Sequence, residues 1–76
     1  MPTVMRNAEF RFFFYSGDQS ESPYVNVEGA NSLAKFWLSP VRLEESNGFS
    51  RKHLAKVQRI VQENQQHFLT SWYNEV

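Results

Sequence analysis

Five of the six residues from Phe10 to Tyr15 are aromatic, in the stretch FRFFFY. Aromatic side chains favour β-strands, and successive side chains of a strand point to opposite faces of a sheet. A strand at this position therefore carries aromatic rings on both of its faces. A chain of 76 residues forms one domain with one small hydrophobic core. What the second set of rings contacts is therefore a question about function as well as fold.

Turn-forming residues divide the rest of the N-terminal half into strands. The loop GDQSESP follows the aromatic run, and Pro23 suits the first position of a strand, where its missing N–H matters least. The segment YVNVE alternates with period two, and the turn GANS then precedes LAKFWLS. We predict strands at about 9–16, 23–28 and 33–39, joined as an antiparallel meander. The segment VRL after Pro40 is either a fourth short strand or an extended connection.

The C-terminal third has the pattern of one long helix. Ser50 is a suitable N-cap, because its hydroxyl can accept a backbone N–H of the first turn. Apolar residues then recur on one helical face, with Asn64 interrupting the stripe: Leu54, Val57, Val61, Phe68 and Trp72. We predict a helix at about 51–74, long enough for Trp72 and Tyr73 to pass the sheet edge. The predicted fold is α+β: a small three- to four-stranded antiparallel β-meander packed on one face by a long C-terminal α-helix.

The predicted strands have two different faces. One is almost wholly apolar and should receive the helix: Phe10, Phe12, Phe14, Val25, Val27, Ala34, Phe36 and Leu38. The other, which we call the open face, mixes aromatic, polar and charged side chains: Arg11, Phe13, Tyr15, Tyr24, Asn26, Leu33, Lys35 and Trp37. Either residues 1–8 or 40–49 shield the open face, or its aromatic rings form an exposed platform. Such a platform on a small protein indicates a contact site.

Six segments together resemble the small bacterial family labelled domain of unknown function 4160. They are MPTVMR, RFFFYS, P-x-V-x-V-E, AKFWL-x-PV-x-L, GFS and the closing W. The resemblance implies β-strands followed by a C-terminal helix. It also implies a gene beside that of another small domain, as in two-gene, toxin–antitoxin-like modules. The family's second strand usually reads His-x-His after its proline, where this chain has Tyr24 and Asn26, so a metal or phosphate site built on that pair would be lost.

The residues favour a non-enzymatic protein without metal or cofactor. The chain has no cysteine, and on one helix His53 and His67 would lie about 21 Å apart, too far to share an ion. No nucleophile elbow or phosphate-binding glycine loop is present. The adjacent Glu44 and Glu45 have the character of a solvated loop pair rather than of paired acid–base groups.

Charge and hydropathy narrow the class of partner. Eight basic and eight acidic residues cancel, which disfavours general affinity for nucleic acid or anionic membranes. No apolar run is long enough to cross a bilayer, and the start MPTVMRNAEF lacks the profile of a signal peptide. We therefore expect a cytoplasmic protein without a membrane partner.

Two functional hypotheses use the open face. The first is a protein-interaction module that contacts a partner protein or a second copy through Phe13, Tyr15, Tyr24, Asn26 and Trp37. The alternative is a small RNA-binding or metal-free RNA-cleaving protein on the same face. In that case Arg11 and Lys35 would bind phosphate while the aromatic rings stack on bases.

Overall fold

Five strands form one antiparallel sheet in chain order in the computed structural model, which describes residues 3–7, 9–15, 22–29 and 31–75. The strands are β1 (Thr3–Asn7), β2 (Phe10–Phe13), β3 (Tyr24–Gly29), β4 (Ser32–Leu38) and β5 (Val41–Asn47). Two helices follow, α1 (Arg51–Glu63) and α2 (Gln65–Glu75). The predicted α+β meander with a C-terminal helical layer is confirmed. Within the described ranges, neither helix has the length and apolarity that crossing a membrane requires.

Both segments that were candidates to shield the open face are strands at the edges of the sheet. β1 pairs with β2 and places Arg6 opposite Arg11. β5 pairs with β4 after a two-residue turn that contains a cis Ser39–Pro40 peptide bond. The segment after Pro40 is therefore a full strand. The described residues of both segments widen the sheet instead of covering it.

The strand register separates the two faces as the alternation predicts. Phe12, Val27 and Ala34 lie side by side across β2, β3 and β4. They belong to the main core cluster, to which the helices contribute Val57, Ile60, Val61 and Phe68. The next row across the same strands is Phe13, Asn26 and Lys35, on the open face. The helices therefore pack on the apolar face.

The predicted C-terminal helix is present in two segments that are separated at Asn64. The backbone leaves helical geometry there, with φ −117° and ψ 19°. The Asn64 side-chain amide donates a hydrogen bond of 2.8 Å to the Ile60 carbonyl. An asparagine side chain competes in this way with the helical backbone pattern. Beyond the break, the Gln65 side chain donates to the Leu38 carbonyl and so joins the start of α2 to the end of β4.

Candidate functional site

The open face consists of three rows of side chains that run across the sheet. One row is Arg6, Arg11, Glu28, Leu33 and Asn47; the next is Phe13, Asn26, Lys35 and Glu45; the third is Tyr24, Trp37 and Arg42. Tyr15 follows two residues after the end of β2. The seven candidate site residues, which are the predicted open-face residues without Leu33, all lie in or directly beside these rows.

Phe13 is buried rather than exposed as predicted, with only 3% of its surface accessible. The Arg11 guanidinium lies 4.3 Å from the centre of the Phe13 ring, and the Tyr15 ring meets it edge-on at 5.8 Å. Arg11 is oriented by Glu28, whose carboxylate accepts a 2.9 Å hydrogen bond from Nε. Phe13 is therefore covered by its own cationic neighbour, because a guanidinium is attracted to the face of an aromatic ring. Its role in binding a partner stays a prediction.

Tyr24 is also buried, at 2% exposure, which corrects its predicted place on an exposed platform. The Trp72 ring of α2 lies edge-on to it with a centroid separation of 4.8 Å. The Tyr24 hydroxyl accepts a hydrogen bond of 3.3 Å from the Tyr15 backbone N–H. Trp72 also packs against Phe14, so the three rings form a second small core at the end of the sheet. The helix reaches Tyr24 through this cluster.

Lys35 lies between two rings of the open face. Its Nζ is 4.5 Å from the centre of the Tyr24 ring and 4.8 Å from that of Trp37. The residue across from Lys35 on β5 is Glu45, and Glu44 accepts a 3.2 Å hydrogen bond from Trp37 Nε1. Both predicted phosphate-binding cations, Arg11 and Lys35, thus have aromatic and acidic neighbours within the chain.

The accessible part of the open face combines apolar and polar side chains. Tyr15 is 51% exposed and Leu33 is 50% exposed, while Asn26 and Trp37 are half-buried. Beside them lies a hollow of about 210 Å³ whose lining includes Phe13, below the range of roughly 300–1,000 Å³ typical of small-molecule sites.

Three residues that the structure places at this site were not singled out by sequence reasoning. Leu33 had been placed on the open face by alternation, yet without a role. Glu44 and Glu45 were interpreted as a solvated loop pair, but they belong to β5 and lie beside Trp37 and Lys35. The alternation after Pro40 indicates a strand, but it does not place both glutamates, because the register with β4 shifts between Lys35 and Phe36 and leaves an extra residue at Glu44.

The two histidines lie on the helices and are engaged locally. His53 Nδ1 is 3.1 Å from the Ser50 hydroxyl, and the His67 ring lies 5.8 Å from the Phe68 ring. Within the described ranges, no three histidine, aspartate or glutamate side chains gather in a group able to hold a metal ion.

Comparison with known proteins identifies the family. A family model described as Domain of unknown function (DUF4160) matches residues 10–73, from the start of the aromatic strand β2 to the last turn of α2. No curated protein and no solved structure matches the chain at a significant level. The matched segment contains the open face of β2–β5, all of α1 and most of α2. The chain belongs to the DUF4160 family, as the resemblance of its sequence segments predicts.

Proposed function

We propose that the chain is a non-enzymatic protein-interaction module of the cytoplasm and that its open face is the contact surface. One observation carries the proposal: Tyr15 and Leu33 are about half exposed on a sheet face whose flanking segments, in the residues that the structure describes, widen the sheet instead of covering it. Exposed aromatic and aliphatic side chains that lie together on a small protein mark an interaction site. Aromatic residues are also enriched in the cores of protein interfaces.

Internal contacts prepare this face for binding. Trp37 is held from one side by Lys35 and from the other by a hydrogen bond to Glu44. Beneath the accessible residues, Phe13 and Tyr24 act as a buried support. Side chains that are already ordered lose less conformational entropy on binding. The residues that contact the partner are therefore Tyr15, Asn26, Leu33 and Trp37.

We further propose that the partner is a small protein encoded by a neighbouring gene, as in a toxin–antitoxin-like pair. This part rests on the family resemblance, which implies two-gene modules. The charges of the open face agree with a protein partner, because cations and acids alternate on it: Arg11 pairs with Glu28, and Lys35 faces Glu45.

The test is co-purification of the chain with the product of the adjacent gene after co-expression. The variants are Trp37→Lys and Tyr15→Lys, and the matched control is Tyr73→Lys on α2, where the native ring is 71% exposed. Circular dichroism verifies that each variant is folded. We expect Trp37→Lys to weaken binding by about tenfold or more, as is typical of a residue central to an interface. Tyr73→Lys should bind like the native chain.

The opposite pattern would contradict the proposal. If Tyr73→Lys abolishes co-purification while Trp37→Lys leaves it intact, the contact lies on the helical layer and not on the open face. Equal binding by all three folded variants would also exclude the open face as the contact.

A second candidate function is RNA binding on the same face. The observation in its favour is the alternation of cations and rings, with Arg11 over Phe13 and Lys35 beside Trp37, since sheet surfaces that bind single strands combine both groups. We rank it below protein binding because Glu28 already pairs with Arg11 and Glu44 bonds to Trp37. These acidic groups would repel a phosphate backbone.

A further inference from the structure

One aromatic cluster connects the end of α2 to the open face. The Trp72 ring of α2 meets the Phe14 ring at 5.3 Å and the Tyr24 ring at 4.8 Å. The Tyr24 hydroxyl accepts the hydrogen bond from the Tyr15 backbone N–H, and Trp37 packs against the same cluster. Two residues of the proposed contact surface, Tyr15 and Trp37, are therefore in contact with the cluster that Trp72 completes.

The C-terminal half of α2 is held to the sheet mainly by Trp72. Of the described side chains after Phe68, only that of Trp72 is buried. The end of a helix with few buried contacts opens at a low free energy. Phe68 itself stacks on Phe12 in the main core, so it can stay in place when Trp72 leaves the sheet. Release of Trp72 is therefore a smaller event than unfolding of the domain.

We propose that binding of a partner to the open face and docking of Trp72 on the sheet stabilise each other, with Tyr24 as the positioning residue between them. This inference rests on the proposed function and adds a form of regulation to the same surface. In the docked state Trp72 packs on the Tyr24 ring, and the Tyr24 hydroxyl holds the backbone of Tyr15. A partner that needs this ordered surface binds the docked state more tightly, and by linkage it draws the equilibrium towards docking.

The effect should fade with distance from the cluster. Trp37 lies opposite Tyr24 in the register of β3 and β4. Leu33 lies four residues earlier on β4, which is about 13 Å at about 3.3 Å per residue. Leu33 can therefore contribute to partner binding without a link to α2, and it provides a matched control on the same face.

Amide hydrogen exchange of the free chain, followed by NMR, tests the connection inside the molecule. Trp72→Phe keeps a smaller ring on α2 and should speed exchange at the Tyr73 and Tyr15 amides by similar factors. Tyr24→Phe removes only the hydroxyl, so it should speed exchange at Tyr15 and leave Tyr73 unchanged. Leu33→Ala should change neither. Circular dichroism verifies folding, and the Tyr24→Phe comparison remains decisive if Trp72→Phe does not fold.

The same measurement with the product of the adjacent gene bound tests the regulation. Exchange at Tyr73 should slow by about fivefold or more, the lower end of usual coupling between sites, although Tyr73 lies outside the contact surface. Tyr24→Phe should weaken binding and reduce this slowing. Leu33→Ala should weaken binding but leave the slowing in the saturated complex as it is in the native chain.

Four results would overturn the proposal. If Trp72→Phe speeds exchange at Tyr73 but not at Tyr15, α2 and the open face are independent. Unchanged exchange at Tyr73 in the saturated complex would exclude the regulation and leave the proposed function intact. A native chain that does not bind the adjacent gene product would remove the proposed function, and the regulation with it. Slowing at Tyr73 together with loss of binding in Tyr73→Lys would mean that the partner covers α2 directly.

Discussion

Two small residues determine how the chain turns from β5 into α1. Gly48 has a left-handed φ of 96°, which side chains with a Cβ rarely adopt. A Cβ at this position would also lie 2.7 Å from the Ser32 hydroxyl oxygen. Two residues later the Ser50 hydroxyl accepts a 3.1 Å hydrogen bond from the His53 backbone N–H, so the N-cap predicted from the sequence is present. The direction of α1 over the sheet depends on this turn.

We therefore expect Gly48→Ala to lower the free energy of unfolding by about 1–3 kcal/mol, the usual cost of one strained backbone position. Urea unfolding followed by circular dichroism measures it. The double variant Gly48→Ala with Ser32→Ala removes the closest contact but keeps the strained φ. Gly48→Ala should therefore lower the free energy of unfolding less in the Ser32→Ala background than it does in the native chain. Unchanged stability in Gly48→Ala would mean that the turn has an alternative conformation of similar energy.

At the scale of elements, two aromatic residues of α2 attach it to the sheet through three ring contacts. The Phe68 ring stacks on Phe12 at 5.3 Å, and the Trp72 ring meets Phe14 at 5.3 Å and Tyr24 at 4.8 Å. A short helix has little stability by itself, so α2 depends on these contacts. The break at Asn64 separates α2 from α1, and α2 is therefore positioned by its own packing.

Replacing Trp72 by alanine should cost about 3–5 kcal/mol of unfolding free energy, as for other buried large aromatic residues. That is about the whole stability expected of a single small core, so we expect Trp72→Ala to be largely unfolded, with most of the helical circular-dichroism signal lost. Tyr73→Ala is the matched control, since Tyr73 is adjacent and exposed; it should change stability by less than about 0.5 kcal/mol. Equal losses in the two variants would show that the Trp72 contacts do not hold α2 in place.

At the scale of the whole molecule, the net charge is zero, and two ion pairs bring opposite charges together. Arg11 pairs with Glu28 on the open face, and Arg59 pairs with Glu63 on α1. A protein that binds nucleic acid through phosphates usually presents a continuous basic surface. This balance of charge favours a protein partner, and it makes the RNA alternative directly testable.

Binding of a single-stranded oligonucleotide, followed by fluorescence anisotropy at several salt concentrations, separates the two functions. We expect weak binding that is the same for the native chain, for Arg11→Gln with Lys35→Gln, and for the control Arg59→Gln. If RNA were the ligand, the double variant would lose affinity. The slope of log affinity against log salt concentration would also fall by about one for each lost phosphate contact. Such a result, with Arg59→Gln unaffected, would replace protein binding by RNA binding.

Much of the architecture follows from local sequence patterns. The strands around Val27 and Phe36, the stripe from Val57 to Trp72 and the cap at Ser50 follow from alternation, helical spacing and turn chemistry. The two edge strands, β1 and β5, are harder to predict from the sequence. β1 was not predicted, and β5 remained one of two alternatives, because a polar or irregular edge segment becomes a strand only when a neighbour supplies its hydrogen bonds.

The sequence by itself determined which side of the sheet each strand residue occupies, because alternation depends only on backbone geometry. Only the tertiary structure decided which of those residues remain accessible. Phe13 and Tyr24 lie on the predicted open face, yet Arg11 covers the first, and Lys35 and Trp72 cover the second. Exposure depends on side chains that the fold brings together from distant positions in the chain. That physical difference separates the predicted platform from the smaller accessible surface formed by Tyr15, Asn26, Leu33 and Trp37.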